Sequence, residues 1–314
     1  SFFEKSQIPE AKYQLGLMYM EGTGGPKDEK KGADLFEEAS TAGIIDAKVQ
    51  LGHCYLHGIG KQTDQIKAFN LYKEANKAKN TDGTYRLAKL YKKGVGTHQN
   101  PAEAFLLFNS LVAEKNHIKA MYELGNCYIE GFGTTEDDKT GIAFLKNAAE
   151  NGSSKAMNLL GVCYLNGKGV KQNVEKAANY FKQATEAGNK LGKVNLAQCY
   201  IEGKGVPRNQ EKGYQLLQET HEDPAAKFRI GVCLYKGAGV SSNKKEGLRL
   251  LSEAAFQKDS NALCYYGKLL MKGKDVKQDQ EAEKEGDRPE GPGHRRQGGS
   301  QRRAAGQGGQ PALR

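Results

Sequence analysis

Five of the six cysteines, the residues best suited to redox or metal chemistry, recur at nearly regular intervals. Cys54, Cys127, Cys163, Cys199 and Cys233 each stand two residues after a glycine or alanine, and successive members are 73, 36, 36 and 34 residues apart. Such a column could hold metals or form disulfides. However, cysteines displaced by one packed helical unit are about 10 Å apart, whereas a disulfide needs Cα atoms within about 7 Å. We interpret them as small buried thiols, which indicates a reducing compartment. We predict the cytoplasm, with the endoplasmic reticulum lumen as the alternative.

Two histidines flank the first of these cysteines. His53 and His57 are four residues apart, a spacing at which two imidazoles on a helix can share a metal ion, but no acid or third histidine nearby completes the set. The Gly-x-Gly segments lack the preceding strand and the following Lys-Ser/Thr of a phosphate-binding loop. The G-x-S-x-G motif of a nucleophile elbow is absent. The sequence therefore predicts no catalytic residue, no cofactor and no metal site.

The cysteines belong to a phrase that occurs eight times. It consists of a Leu-Gly-like pair, an aromatic residue three positions later, and Gly-x-Gly, as in LGHCYLHGIG and LGVCYLNGKG. A period of 34 to 37 residues is typical of solenoid proteins built from two-helix units. The small residues of the pair are Gly16, Gly52, Ala88, Gly125, Gly161, Ala197, Gly231 and Gly267.

A second phrase follows each of the first seven copies, with small, large and small residues such as Ala68, Tyr72 and Ala75. Intervals of four and three residues place them on one face of a helix. The Gly-x-Gly ends the preceding helix, because glycine adopts left-handed backbone conformations without a side-chain penalty. Each unit is thus predicted to be two helices joined by a turn. A single pair cannot bury both of its apolar faces, so the units must stack.

The consensus A-x-x-x-L-G-x-x-Y-x-x-G-x-G-V-x-x-D-x-x-K-A-x-x-x-F-x-x-A-A resembles the Sel-1-like repeat family, which is related to the tetratricopeptide repeats. The resemblance implies an all-α fold, a right-handed α-solenoid of stacked helix-turn-helix repeats that forms a tetratricopeptide-like superhelix. It also implies adaptor roles in signalling, in membrane-protein quality control or in the regulation of cell-wall enzymes. Leu234 and Leu270 depart from the consensus aromatic, and Asp275 replaces the second glycine of the eighth copy.

Three segments are predicted. Residues 11–279 form the repeat solenoid, with seven full repeats and half of an eighth, and residues 1–10 read as the second helix of a preceding repeat. Residues 280–314 are rich in glycine, arginine and glutamine and contain one large aliphatic residue, Leu313. Because that composition cannot bury a core, we expect a disordered tail. A truncated or misread C-terminus is the alternative interpretation.

The chain carries a net charge of +10, from 47 Lys and Arg against 37 Asp and Glu. An excess of this size raises the question of nucleic acid. The excess is spread along the sequence, however, and no basic stripe interleaved with aromatics recurs. We therefore predict proteins or peptides as partners rather than nucleic acid. No window approaches the ~18 consecutive apolar residues of a membrane-spanning helix, so no membrane span is expected.

A variable stripe on the first helices is the candidate partner-binding surface. It lies three residues before, and one and four residues after, the small residue of each unit, and in a helical solenoid such positions can line a groove for a peptide. Packing between repeats is the alternative, and the sequence leaves both open. Aromatic anchors make Tyr85, Tyr122 and Phe228 the preferred contacts. The predicted partner-binding residues are Tyr85, Lys89, Tyr122, Asn126, Asn158, Gln198 and Phe228.

Repetition without a convergent polar site predicts an interaction scaffold that binds other proteins, and not an enzyme. Two alternatives stay open. One is a hydrolase, including the beta-lactamase activity attached to bacterial members of the family, which would need a nucleophile with a base in hydrogen-bond reach. The other is the interaction domain of a larger protein that is linked to a kinase or to a membrane anchor.

Overall fold

The computed structural model describes residues 8–272, in which helices are joined by short turns and no strand occurs. The helices up to Tyr266 belong to one compact unit, and no helix in the described range is long and apolar enough to cross a membrane. The predictions for residues 1–7 and 273–314, which include Asp275 and the glycine-rich tail, lie outside the described residues. The helices are α1 (Pro9–Glu21), α2 (Glu29–Thr41), α3 (Ile45–His57), α4 (Gln65–Lys77), α5 (Thr81–Lys93), α6 (Pro101–Lys115), α7 (Ile118–Glu130), α8 (Asp138–Glu150), α9 (Ser154–Asn166), α10 (Val174–Glu186), α11 (Lys190–Glu202), α12 (Gln210–Gln218), α13 (Pro224–Lys236), α14 (Lys244–Phe256) and α15 (Ser260–Lys272).

The odd-numbered helices carry the Leu-Gly phrase and are the first helices of their units, and the even-numbered second helices carry the small-large-small phrase. From α1 to α14 each helix packs on the next one along the chain, and α11 also contacts α9 and α13. Seven helix pairs thus form a stack within the described range, and α15 follows them along the chain. The all-α solenoid predicted from the repeat is confirmed.

A glycine or alanine on the first helix meets the large residue of the second helix. A Cβ atom placed on Gly161 would lie 2.5 Å from the Phe181 ring, and one on Gly16 would lie 2.7 Å from the Phe36 ring. Only the smallest side chains permit this approach. Burial of each large side chain contributes about 1.5–3 kcal/mol. The large residues, all 2% exposed or less, are Phe36, Tyr72, Phe108, Leu145, Phe181, Leu217 and Leu251.

An aspartate or asparagine caps the start of all seven helices from α2 to α14 that are second in their pair. The Asp28 side chain accepts a hydrogen bond from the Lys31 backbone N–H at 3.0 Å, which satisfies a backbone donor left free at the helix start. Asp28 also donates its own backbone N–H to the carbonyl of Tyr19 at 2.9 Å. The acidic position of the consensus therefore caps one helix and fixes the turn from the helix before it.

In five units the Gly-x-Gly turn also contacts the preceding unit closely. Its first glycine ends the first helix as predicted, and Gly131 does so with φ 64°. Its second glycine rests on the first residue of the preceding second helix: a Cβ atom on Gly133 would lie 2.1 Å from the carbonyl oxygen of Pro101. Four more turns show the same approach at 2.0–2.1 Å, namely Gly60 to Glu29, Gly96 to Gln65, Gly205 to Val174 and Gly239 to Gln210.

α12 is the shortest helix of the described range. It has nine residues, whereas the others have 13 or 15, and residues 219–223 form a turn before α13. The interval from Ala197 to Gly231 is 34 residues, two fewer than in most repeats. α12 is four residues shorter than the 13-residue helices, and the five-residue turn after it is two residues longer than the turn between α10 and α11. As a result α12 and α13 share the smallest contact of any consecutive pair from α1 to α14.

Candidate functional site

Three cavities lie along the first helices, and we name each after one of its aromatic residues. The Tyr85 cavity, of about 400 Å³, is lined mainly by α3, α5 and α7. The Tyr122 cavity, of about 840 Å³, is lined by α5, α7, α9 and α11. The Phe228 cavity, of about 520 Å³, is lined mainly by α11, α13 and Tyr265 of α15. Each cavity is therefore shared by several repeats, and together we call them the first-helix surface.

Six of the seven predicted partner-binding residues line these cavities. Asn126 lies on α7 and lines none of the three. All seven side chains are half-buried, and their role in binding a partner stays a prediction. Tyr85 lines the Tyr85 cavity, and Tyr122 and Asn158 line the Tyr122 cavity. Lys89 lines both of these cavities, and Gln198 and Phe228 line the Phe228 cavity.

The aromatic members of the stripe also pack between repeats. The Tyr85 ring lies 5.2 Å from the His117 ring and 6.0 Å from the Phe108 ring, measured between centroids. The Phe228 and Tyr265 rings are likewise 6.0 Å apart. Burial, followed by the nearby charge of Glu123, raises the pKa of Tyr85 well above its usual range. These aromatic side chains thus pack against their neighbours and also line the cavities.

Positive charge predominates in the cavity linings. Eleven Lys and Arg side chains stand against four carboxylates, those of Asp82, Glu123, Glu130 and Glu202. Most of the net charge of +10 therefore lies on the first-helix surface. The sequence did not reveal this, because the residues are far apart along the chain. The cations of the Tyr85 cavity are Arg86, Lys89, Lys93 and Lys119. Those of the Tyr122 cavity are Lys92, Lys155 and Lys190, together with Lys89 and Lys93, which line both cavities. Those of the Phe228 cavity are Lys204, Arg208, Arg229 and Lys236.

Glu123 is a buried carboxylate held by two lysines of the preceding repeat. Its side chain is 5% exposed and accepts hydrogen bonds from Lys92 Nζ at 2.9 Å and from Lys89 Nζ at 3.3 Å. Burial alone would raise the pKa of Glu123, but the charges and hydrogen bonds of Lys92 and Lys89 outweigh it and hold the pKa below its ordinary value. Glu123 and Lys92 stay charged at neutral pH, and the hydrogen bonds of both lysines to Glu123 link α5 to α7.

Polar side chains make similar links between later first helices. Asn195 Nδ2 donates to Asn158 Oδ1 at 2.9 Å and so links α11 to α9. Arg229 Nη1 donates to Gln198 Oε1 at 2.5 Å and so links α13 to α11. Gln198 Nε2 in turn donates to Glu202. The Arg229 Nε atom is buried and has no hydrogen-bond partner, and burial lowers the pKa of Arg229.

One residue of each link belongs to a column that the sequence prediction overlooked. Glu123, Asn195 and Arg229 stand two residues before the small residue of their units, next to the leucine or isoleucine of the apolar stripe, where a core residue is the usual expectation. The signal was nonetheless present, because only Leu159 is aliphatic in this column. The other members are Gln14, Gln50, Arg86, Glu123, Asn195, Arg229 and Tyr265.

The cysteine column is buried and unpaired, as predicted. Cys264 is exposed, the other five are buried, and all six thiols are free. Burial raises the pKa of each buried thiol to about 11, so they pack as neutral groups. The His53 and His57 rings lie 4.5 Å apart. Within residues 8–272 no group of three or more His, Cys, Asp or Glu side chains is arranged to hold a metal ion.

Known proteins share this repeat and this fold. A family model described as Sel1 repeat matches residues 9–44, 45–80, 81–112, 118–153, 154–189, 191–219, 224–258 and 260–282. A search of curated proteins finds no match.

Two solved structures illustrate the similarity. One is the protective antigen c5321 of uropathogenic Escherichia coli, which displays an SLR fold; it is 28% identical, with a TM-score of 0.63, over 86% of this chain and 58% of that one. The other is a Sel1 repeat protein from Oxalobacter formigenes, 21% identical, with a TM-score of 0.61, over 83% of this chain and 76% of that one. The chain thus spans less than two thirds of the length of the antigen.

Proposed function

The chain belongs to the Sel1 repeat family, whose members are generally scaffolds for protein–protein interaction and generally not catalysts, and from that premise we propose that it is an adaptor. It holds partner proteins by peptide segments that lie along the first-helix surface.

The observation that carries this proposal is the continuity of the surface across repeats. The Tyr122 cavity alone takes its lining from four successive first helices. A peptide in an extended or helical conformation contacts several repeats at once on such a surface. Half-buried aromatic side chains, such as those of Tyr122 and Phe228, suit the role of anchors at the centre of an interface.

The titration of the charged groups supports binding rather than proton transfer. The pKa of Glu123 is lowered, and the pKa of Lys92 is raised because its attraction to Glu123 outweighs its burial. Both shifts hold these groups in their charged forms near neutral pH, whereas a general acid or base works with a pKa near the operating pH. We therefore propose that the chain acts by binding and not by catalysis.

Affinity purification with a double variant tests the surface assignment. The full chain and the variant Tyr122→Ala/Phe228→Ala are immobilised and exposed to cell lysate, and retained proteins are quantified by mass spectrometry. We expect proteins retained by the wild type to be depleted at least about tenfold with the variant, because each truncated aromatic anchor costs ~2 kcal/mol or more.

The matched control removes apolar side chains from the second helices instead. Ile66 on α4 and Leu106 on α6 are 64% and 58% exposed and line none of the three cavities. The variant Ile66→Ala/Leu106→Ala should retain the same proteins as the wild type. Circular dichroism confirms that both variants keep their helices. An unchanged set of proteins on the Tyr122→Ala/Phe228→Ala variant would refute the assignment.

A further inference from the structure

We propose that the Phe228 cavity is a carboxylate-binding pocket, in which Arg229 receives an Asp or Glu side chain from an acidic segment of the partner protein. This inference rests on the proposed adaptor function and adds the chemistry of the partner to it.

Arg229 is a largely buried cation whose hydrogen-bonding capacity is only partly used. Its Nη1 atom donates to Gln198 Oε1, but its Nε atom is buried without a partner. Among residues 8–272 no carboxylate forms an ion pair with Arg229. Leaving such a group unsatisfied costs free energy. A ligand carboxylate in the cavity that Arg229 lines would supply the missing counter-charge, and a guanidinium binds a carboxylate through charge-assisted hydrogen bonds.

Arg229 differs in this respect from the other charged residues of its column. Arg86 forms an ion pair with Asp82, four residues earlier on the same helix, at 2.8 Å, whereas the position four residues before Arg229 is Ala225. Glu123 is neutralised by two lysines. Among the three charged residues of the column, Arg229 is therefore the one whose counter-charge the structure does not provide.

The two acidic residues whose charges act on Arg229 do not fill that place. Glu202 and Asp259 act on Arg229 through space, but neither forms an ion pair with it. Glu202 is engaged by Lys204, at 2.8 Å, and by Gln198. Asp259 caps the start of α15 by accepting a hydrogen bond from the Ala262 backbone N–H at 2.8 Å.

The rest of the cavity suits an acidic residue with an apolar neighbour. Lys204, Arg208 and Lys236 add three cations to the lining, and the Lys236 ammonium lies 5.5 Å from the centre of the Tyr265 ring. The rings of Phe228 and Tyr265 form an apolar wall beside these charges. The cavity can thus take a carboxylate and an adjacent aliphatic or aromatic side chain together.

The first-helix surface fits an acidic peptide better than a nucleic acid. A phosphate backbone carries a charge at every nucleotide and favours an unbroken row of cations. Here carboxylates interrupt the cations in all three cavities, as Asp82, Glu123 and Glu202 show. A peptide can match that alternation by placing acidic residues only where cations stand.

Selection from a random peptide library tests the inference. Twelve-residue peptides displayed on phage are selected on the full chain, and the enriched sequences are synthesised with amidated C-termini, so that only side-chain carboxylates remain. Their affinity is measured by fluorescence anisotropy. We expect enrichment of Asp and Glu, and a loss of at least about tenfold in affinity with Arg229→Met, since a hydrogen bond to a charged group is lost. The same acidic residue changed to its amide should give a similar loss, and the two changes together should not add.

The control variant is Arg249→Met, which removes one positive charge from α14, where Arg249 is exposed. Its affinity for the peptides should equal that of the wild type. If Arg229→Met fails to fold, Lys236→Glu reverses a charge on an exposed residue of the same cavity and should weaken binding at least about tenfold.

The remaining outcomes distinguish failure of the carboxylate pocket from failure of the adaptor function. Enriched peptides without Asp or Glu, or full affinity in the Arg229→Met variant, would overturn the carboxylate pocket and leave the adaptor function standing. Selection of no peptide would contradict both. A 20-nucleotide single-stranded RNA that displaces the peptides and depends equally on Arg229 would show that the pocket takes phosphate, and this too would overturn the inference.

Discussion

Glu123 stabilises the contact between the third and fourth repeats through charge. Replacement by glutamine leaves two partly buried ammonium groups without their carboxylate. We expect Glu123→Gln to lower the free energy of unfolding at pH 7 by about 1–3 kcal/mol. Urea unfolding followed by circular dichroism measures this difference. Glu130→Gln, which changes an exposed carboxylate at the end of the same helix, should cost less than about 0.5 kcal/mol.

The pH dependence of the Glu123 effect has a definite sign. The folded-state pKa is lowered, so the stabilisation is complete above the unfolded value of about 4.3 and is lost as pH falls through the folded value. The wild type should therefore keep its full advantage over Glu123→Gln above about pH 4.3 and lose it at more acidic pH, as Glu123 is protonated in the folded protein. A difference that does not shrink as the pH is lowered below about 4.3 would show that the variant acts through packing and not through charge.

At the scale of single residues, the sequence predicted burial better than it predicted partners. The interval between cysteines was enough to place their thiols in the core, because a helical period fixes the face on which a residue lies. The interaction of Lys92 with Glu123 joins residues 31 positions apart. The distance between these two side chains depends on how far one repeat is displaced from the next along the stack, and the sequence pattern does not give that displacement. The unsatisfied Nε of Arg229 was hidden for the same reason.

Among the structural elements, the Gly-x-Gly turn allows the cost of left-handed backbone strain to be separated from the cost of a steric clash with the neighbouring repeat. Gly133 and Gly152 both have positive φ, 75° and 86°, and alanine at either position should cost about 1–2 kcal/mol in left-handed strain. A Cβ atom on Gly152 meets nothing within 4 Å, but one on Gly133 would overlap the Pro101 carbonyl. We expect Gly133→Ala to reduce the free energy of unfolding at least twice as much as Gly152→Ala.

Chemical denaturation of the two glycine variants makes the comparison. Since both substitutions carry similar backbone strain, the excess loss in Gly133→Ala reports the contact between neighbouring repeats. Equal losses would mean that the second glycine is required only for its φ, and that its approach to the preceding helix adds no constraint.

The order of helices followed directly from the two recurring phrases, but their ends did not. The interval of 34 residues from Ala197 to Gly231 indicated that two residues were missing from the sixth repeat. It did not show that α12 is four residues shorter and stops at Gln218, while the turn after it is two residues longer. Tertiary packing decides this. Ala197 and Leu217 lie in one buried cluster, and Gly231 closely approaches Leu251, so the shortening falls on the segment between these contacts.

Across the whole molecule, the junction between α12 and α13 should open first. Repeats are stabilised chiefly by their neighbours, and this junction has the smallest contact between consecutive helices from α1 to α14. We expect a protease that cleaves after glutamate to cut the native chain first at Glu219 or Glu222, considering only sites in residues 8–272. Mass spectrometry of early time points identifies the cut.

The corresponding site at another junction provides the comparison. Glu150 ends α8, where α8 and α9 share a larger contact, and it should be cleaved later. First cleavage at Glu150 would show that the length of α12 does not set the local stability of the stack.

A close contact between a glycine and a backbone carbonyl recurs at five turns. It allows the units to stack independently of the side chains that line the cavities. The joint is formed by main-chain atoms at the edge of each unit, so it places no demand on the side chains that line the cavities. One unit can therefore be exchanged for another with different surface residues while the rise from unit to unit is preserved. Such a chain can acquire a new partner by substitution within one module, and its neighbours need not adapt.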